Sequence, residues 1–400
     1  MKIIIDAFGG DNAPEEVVNA SLLALYKYKK LKITLVGKSE VIQDSLHGKK
    51  YDQSRLDIVD AREVITCEES PVDAIRTKKD SSIVRGIELL KSKPDEYSGF
   101  VSAGSTGALL SATVLKLGRI KGVIRPALSP LLPTAKGTPV MLIDAGANVD
   151  VKPINLVQFA LMGHAYMSKV LGISKPRVAL LNVGTEDSKG NELTKASLPL
   201  LKQLPINFVG NMEARDFLSG NYDVVVADGF VGNVLLKATE GACKILFKEI
   251  KSAMLGSFRG KIGALFLKKP LKKVVKKFDY EGLGGSVLLG AKGVVIKGHG
   301  SSKAREFLSA IEHLIAMGEC DINKTIEEAI AEVDMERLEQ KAMIDAQLTA
   351  KVEESKKEPS KEVAVEPNGP ELEGDLAKEI AVQPKEGAVD KIIDEDEGGK

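Results

Sequence analysis

Residues 222–241 read YDVVVADGFVGNVLLKATEG. Val224, Val225 and Val226 form a β-branched apolar run, the pattern of a buried parallel strand. Asp228-Gly229 ends it, and Gly232 and Asn233 follow in the turn. Val234, Leu235, Leu236 and Ala238, leading toward Ala242, then recur at helical spacing. A strand that passes through a glycine-rich turn into a helix leaves free backbone N–H groups at the carboxyl edge of a sheet. α/β proteins bind anions and acyl or phosphate groups at such edges. An ordinary tight βα turn has the same signature when it occurs alone. Here three further stretches share the design.

The first strand is Lys2–Asp6 (KIIID), followed by a turn with Gly9, Gly10 and Asp11. Pro14 opens a helix with Glu15 and Glu16 in its first turn, where the helix dipole favours acids. Residues 33–36 are a second strand, and 71–92 read as two charged helices carrying Arg76, Lys78, Lys79 and Arg85. FVSAGSTG at 100–107 repeats the theme: Gly104, Ser105, Thr106 and Gly107 precede an apolar helix over 108–117. Ser105 and Thr106 can cap that helix or donate hydroxyls to an anion. The spacing matches neither a Walker loop nor a dinucleotide fingerprint. A third edge is Asp144 with Ala145-Gly146-Ala147-Asn148, before a helix over 154–171 that Pro153 opens. VALLNV at 178–183 leads into GTEDSKGN, with Lys189 at a strand end where a cation can face an anion or simply be solvated. Residues 205–210 suggest one more strand. Strand and helix periods alternate throughout, so the fold class is α/β, doubly wound, with a mostly parallel sheet.

Composition sets the bounds. Of 400 residues, 44% are apolar and 28% charged, enough for one large or two ordinary domains with ample core. The start of the chain reads as a strand rather than a signal peptide, and no run of 18 uncharged apolar residues suggests a membrane span. Cys67, Cys243 and Cys320 form no CxxC pair, and His47, His164, His299 and His313 do not cluster. Neither a disulfide framework nor a metal site is expected, and a reducing cytoplasm suits the chain. His299, between two glycines, can face the site, but reads rather as a strand-end residue without a role. Net charge is zero but uneven. Residues 351–400 hold 15 Asp and Glu against 8 Lys and Arg, with few large apolar side chains. We expect a folded domain over 1–348 and a disordered acidic tail over 349–400. The body is then mildly basic, which suits an acidic partner or an anionic membrane.

Residues 254–280 change character: MLGSFRGKIGALFLKKPLKKVVKKFDY interleaves apolar side chains with seven lysines. Pro270 divides it into two helices, an amphipathic hairpin. Its apolar face can pack on the core, or it can meet an anionic membrane surface or a partner's acidic helix. Amphipathic closing helices follow over 301–317 and from Ile322 to about Leu348.

Taken in order, DAFGGDNAP, SAGSTGA, RPAL, DAGANVDVKP, LVQFALMG, LLNVGTEDSKGN and DGFVGN resemble the bacterial phosphate acyltransferase (PlsX) family over roughly residues 1–325. Phe8 stands where many members carry Met, Ser105 where many carry Asn, and Thr185 where many carry Glu. The resemblance implies an isopropylmalate-dehydrogenase-like fold with the hairpin protruding from it. The implied reaction takes an acyl chain from acyl carrier protein to inorganic phosphate, without a cofactor or nucleic acid. The acyl phosphate would feed a glycerol-3-phosphate acyltransferase from a cytoplasmic, peripherally membrane-bound homodimer. Lys189 and Asn233 are the implied catalytic pair, a fixed cation and an amide donor. Asp6, Gly9, Gly10, Asp11, Gly104, Ser105, Thr106, Gly107, Asp144, Asn148, Asp228, Gly229 and Gly232 are the implied substrate contacts. Phosphate is already a charged nucleophile, so the chemistry asks for an anion cradle and oxyanion donors rather than a strong base. Direct transfer without an acyl-enzyme follows. Two alternatives share these features: a phosphotransacetylase-like reaction on a coenzyme A thioester, and a non-catalytic membrane scaffold. A nicotinamide oxidoreductase fits only the fold type, and the fingerprint is missing.

Overall fold

The computed structural model describes residues 1–278, 283–338, 340, 341 and 344; the expected acidic tail lies outside them. Eleven strands make one sheet: β1 (Lys2–Asp6), β2 (Lys32–Gly37), β3 (Leu56–Asp60), β4 (Gly99–Ser102), β5 (Ala127–Leu132), β6 (Val140–Ile143), β7 (Val178–Asn182), β8 (Phe208–Glu213), β9 (Val224–Val226), β10 (Ser286–Leu289) and β11 (Val294–Lys297). The principal helices are α1 (Glu15–Lys27), α2 (Ser39–Leu46), α3 (Pro71–Thr77), α4 (Ser82–Ser92), α5 (Thr106–Ala112), α6 (Pro153–Lys169), α7 (Glu192–Leu201), α8 (Gly229–Leu255), α9 (Phe258–Lys277), α10 (Ala304–Glu319) and α11 (Ile322–Ala331).

The strand order is β3-β2-β1-β4-β11-β10-β5-β6-β9-β7-β8. The first five strands are mutually parallel, and so are the last four. Between them β10 is antiparallel to β11 and to β5, and β5 is antiparallel to β6. Three reversals in succession leave the two parallel blocks pointing in opposite directions. The mostly parallel α/β expectation holds, with this antiparallel seam added. Strand β5 has no counterpart in the sequence reading. Pro126 stands just before it and Pro130 within it, and proline in an interior strand argues against the assignment. Pro130 nevertheless pairs with Ser286 in the seam.

Both faces are buried, with the two-residue strand period deciding which side chain goes where. Ile3 and Ile5 join one core with α1, α6 and α10, while Ile4 joins the other with α4 and α5. Helix α6 is buried nearly all round because α7 and α11 cover its outer side, which explains its uninterrupted apolar sequence. Each large aliphatic side chain buried in these layers contributes about 1.5–3 kcal/mol.

Four boundaries differ from expectation. Helix α8 begins at Gly229, so Gly232 and Asn233 lie in its first turns, not before it. The Asp228 carboxylate caps it, accepting the Phe230 and Val231 N–H groups at 3.0 and 2.9 Å. The hairpin is therefore α8 with α9, turning at Gly256-Ser257, where Ser257 Oγ accepts the Gly260 N–H at 3.0 Å. Pro270 sits inside α9 without ending it. Phe266, four residues back, is exposed, so water can meet the carbonyl that proline leaves unpaired. Helix α11 stops at Ala331, and helix resumes at Met335; the end of the expected run, 345–348, lies outside the described residues. Strand β8 starts at Phe208 rather than 205.

His313 of α10 is buried, with neither ring nitrogen hydrogen-bonded, and stands edge-on to Tyr166 with ring centroids 5.5 Å apart. Burial pushes its pKa down to about 4. The unfolded chain, with histidine near 6.5, therefore takes up a proton that the folded chain refuses. Stability is full above about pH 6.5 and falls as pH drops toward 4, by roughly 2 kcal/mol at pH 5. His313→Phe should flatten the fall in urea midpoint between pH 7 and pH 5. An unchanged pH slope would show that His313 is not responsible for it.

Candidate functional site

The adjacent strands β1, β4 and β11 end together, and their loops are tied to one another. Asp6 closes β1, buried, with Oδ2 accepting from Ser102 Oγ at 2.6 Å and Oδ1 from the Phe8 N–H at 3.0 Å. Burial pushes its pKa up, while those hydrogen bonds and the nearby Lys297 charge pull it back. The Asp11 N–H donates to Gly300 O at 2.8 Å and Asn12 Nδ2 to Ser301 O at 3.1 Å, binding the β1 loop to the β11 loop. A Cβ on Gly9 would lie 2.6 Å from Gly104 N, so only glycine lets the β1 and β4 loops approach this closely. Ser105 is the N-cap of α5, its Oγ accepting the Ala108 N–H at 3.4 Å.

In the second block, Asp144 is fully buried and its carboxylate is committed to its own loop. Oδ1 accepts the N–H groups of Leu128, Gly146 and Ala147 at 2.9, 3.2 and 3.1 Å. Oδ2 accepts the Asn148 N–H at 2.7 Å and Asn148 Nδ2 at 2.9 Å. Asn148 Nδ2 also donates to Pro126 O at 2.8 Å. Asp144 and Asn148 thus shape the loop rather than present a free acid and amide to a substrate. Gly229 donates its N–H to Asn148 O at 2.8 Å, and a Cβ on Gly232 would fall 1.9 Å from Asp144 O. The start of α8 is pressed directly onto this loop.

Between α5 of the first block and α8 of the second, over β10 and β5, lies a trench of about 400 Å³. Leu110, Leu128, Leu131, Leu132 and Leu236 make it apolar. Thr106, Lys297 and His299 from the first block, and Gly146 and Asn233 from the second, give it polar edges. Lys237 and Glu240 also line it, joined at 2.9 Å. His299 Nδ1 pairs with Ser301 Oγ at 2.8 Å.

A second cavity of about 640 Å³ lies on the other side of α8, walled by Leu156, Leu180, Leu181, Val231, Val234 and Leu235. Asn182, Glu213 and Arg215 also line it. Lys189 is exposed beyond this side, in the loop whose carbonyl it offers to Asn182 Nδ2 at 3.1 Å.

The candidate residues therefore separate. Thr106, Gly107 and Asn233 line the trench, and Asp6, Gly9, Gly10, Asp11, Gly104 and Ser105 build the edge beside it. Asp144, Asn148, Asp228, Gly229 and Gly232 set the loop and helix that carry Asn233. Lys189 lines neither cavity, so the expected Lys189–Asn233 pair does not meet in the trench. Lys297 and His299 also line the trench, though neither was among the expected contacts. The signal for Lys297 was present: VVIKGHG ends an apolar strand in a lysine before a glycine, the arrangement credited to other loops. Among the described residues no group of three or more His, Cys, Asp or Glu is placed to hold a metal ion, and no helix is long and apolar enough to cross a membrane.

The family model described as "Fatty acid synthesis protein" matches residues 1–325. The chain belongs to this family. Curated relatives include a phosphate acyltransferase of Clostridium tetani, 45% identical over 84% of this chain and 99% of that protein. Another, from Clostridium acetobutylicum, is 49% identical over 82% of this chain and 97% of that one. Among solved structures, a phosphotransacetylase from Streptococcus pyogenes aligns with a TM-score of 0.51 at 18% identity, covering 83% of this chain and 94% of that one. That likeness speaks for the fold; family membership rests on the sequence match along the chain.

Proposed function

We propose that the chain transfers a fatty acyl group from acyl carrier protein to inorganic phosphate, giving acyl phosphate and the free carrier thiol for phospholipid synthesis. The observation that carries this is the trench: loops from two opposed blocks present Thr106 and Asn233 across a floor of leucines. An apolar floor suits an acyl chain, and a polar rim suits the thioester and its attacker. A phosphate oxygen bonds to the carbonyl carbon, the carbon–sulfur bond breaks, and the proton of monohydrogen phosphate ends on the thiolate. No stronger base is needed. Orientation and a donor for the carbonyl oxygen carry the rate, and Asn233 is the amide positioned to give that hydrogen bond.

A phosphotransacetylase-like reaction on coenzyme A thioesters is the second reading, favoured by the phosphotransacetylase fold likeness. Phosphate-dependent thiol release should be compared for one acyl chain carried on acyl carrier protein and on coenzyme A. The proposal expects kcat/KM at least ~10-fold higher for the carrier protein. Equal or reversed preference would favour the second reading. Lys189, exposed in the loop after β7, is proposed as part of the surface the acidic carrier meets.

The reading extends to an anionic membrane. Phe258, Leu265 and Phe266 are 80%, 72% and 77% exposed on α9, among Lys261, Lys268, Lys269, Lys272 and Lys273. Exposed aromatics set in a basic amphipathic helix suit an interfacial contact. A cytoplasmic, peripherally attached homodimer handing acyl phosphate to a glycerol-3-phosphate acyltransferase completes the proposal.

A further inference from the structure

Lys297 is a half-buried cation at the carboxyl end of β11, facing the trench. Its Nζ donates to the carbonyls of Ala103, at 3.4 Å, and Gly298. Among the described residues, no carboxylate lies within ion-pair distance of it. An ammonium has three donors, so two carbonyls leave one for a further partner, and neither carbonyl balances the charge. The other lysine of the trench, Lys237, is already paired with Glu240 at 2.9 Å. Lys189, the cation expected from the sequence, stands outside the trench. Withdrawing an ammonium from water with no carboxylate in contact is costly, and a bound anion would offset that cost.

We propose that Lys297 is the cation that binds the attacking phosphate, at the end of the trench bounded by Thr106 and the β11 loop. This rests on the reading above that phosphate is the nucleophile. Lys297 supplies the charge, the Thr106 hydroxyl can donate a hydrogen bond, and the acyl group lies along the leucine floor toward Asn233. Burial pushes the Lys297 pKa down to about 8. The charged groups around it are Asp6 and Asp11 from the β1 edge and Lys237 from α8, with the Cys67 thiol nearby; Glu306, Glu240 and His299 also line the trench. The ammonium is therefore charged at pH 7 and loses its proton as pH passes about 8, while phosphate remains an anion throughout.

The test is steady-state kinetics of the full chain with acyl-acyl carrier protein and inorganic phosphate, for wild type, Lys297→Met and Lys297→Arg. Lys297→Met should raise the phosphate KM at least ~10-fold while leaving the carrier KM unchanged. Lys297→Arg should restore most of the phosphate affinity, and should hold it above pH 8 where wild type loses it. An unchanged phosphate KM in folded Lys297→Met overturns this inference alone. A wild-type protein whose thiol release ignores phosphate overturns the functional reading as well. A measurement on wild type covers the case in which the variants fail to fold. Inorganic phosphate should protect Lys297 from acetylation, read by mass spectrometry, while exposed Lys32 reacts equally with and without it. Equal labelling of Lys297 in both conditions would contradict the assignment.

Discussion

Gly232→Ala is expected to destabilise the protein by about 3 kcal/mol or more and to abolish turnover. The added methyl would fall 1.9 Å from Asp144 O, a backbone atom. That backbone cannot swing aside, because the Asp144 carboxylate accepts five hydrogen bonds that fix residues 144–148 against β5. Either the first turn of α8 lifts, carrying Asn233 away from the trench, or the loop gives up its bonds. Gly241, farther along the same helix, supplies the contrast: nothing lies within 4 Å of its added Cβ. Gly241→Ala should stabilise by roughly 0.5–1 kcal/mol through helix propensity alone. Urea unfolding of the two variants against wild type checks the pair. Equal effects at the two positions would show that the α8 start does not press on the Asp144 loop.

Asn233→Ala should lower kcat by about 10²–10³-fold with stability within ~0.5 kcal/mol of wild type. Asn233 is exposed at the trench wall, so little packing is lost on truncation. Its neighbour Gly232 fixes the helix against the loop, and its amide lies 3.6 Å from where a Gly146 Cβ would be. An amide at the trench wall can donate to a carbonyl oxygen that gains charge in the transition state. Removing one such donor costs about 2.7–4 kcal/mol of barrier. Asn233→Asp should be at least as damaging, because a carboxylate offers no donor and repels phosphate. Thermal unfolding beside kcat and KM for both substrates decides the matter. A loss of only a few-fold would remove Asn233 from the chemistry.

These two neighbours show what the sequence makes legible. VVVADGFVGN announced a strand, a glycine-rich turn and a helix, and all three are present in order. The pattern did not reveal that Gly229 and Gly232 are packing glycines inside the helix start, because that depends on how closely the Asp144 loop approaches. The similar edge motifs suggested one shared site. The antiparallel seam of β10 and β5 instead turns the two blocks in opposite senses, and residues of the two blocks meet across it in the trench. The seam also brings Lys297, from the first block, to the trench beside α8. Lys189 and Asn233 follow neighbouring parallel strands of one block, β7 and β9, yet only Asn233, carried on α8, lines the trench. Periodicity reports which residues share a face, but not the sense in which a distant block is joined. Pro126 and Pro130 hid the strand that makes the join.

The most direct measurement is the fate of labelled phosphate. Purified protein would be incubated with acyl-acyl carrier protein and radiolabelled inorganic phosphate, and the lipid-extractable product would be treated with hydroxylamine. The account predicts label in an acyl product, one equivalent per carrier thiol released, lost on hydroxylamine treatment with formation of the acyl hydroxamate. Thiol release accompanied by free fatty acid and no labelled acyl product would mean that water, not phosphate, is the nucleophile, and would contradict it.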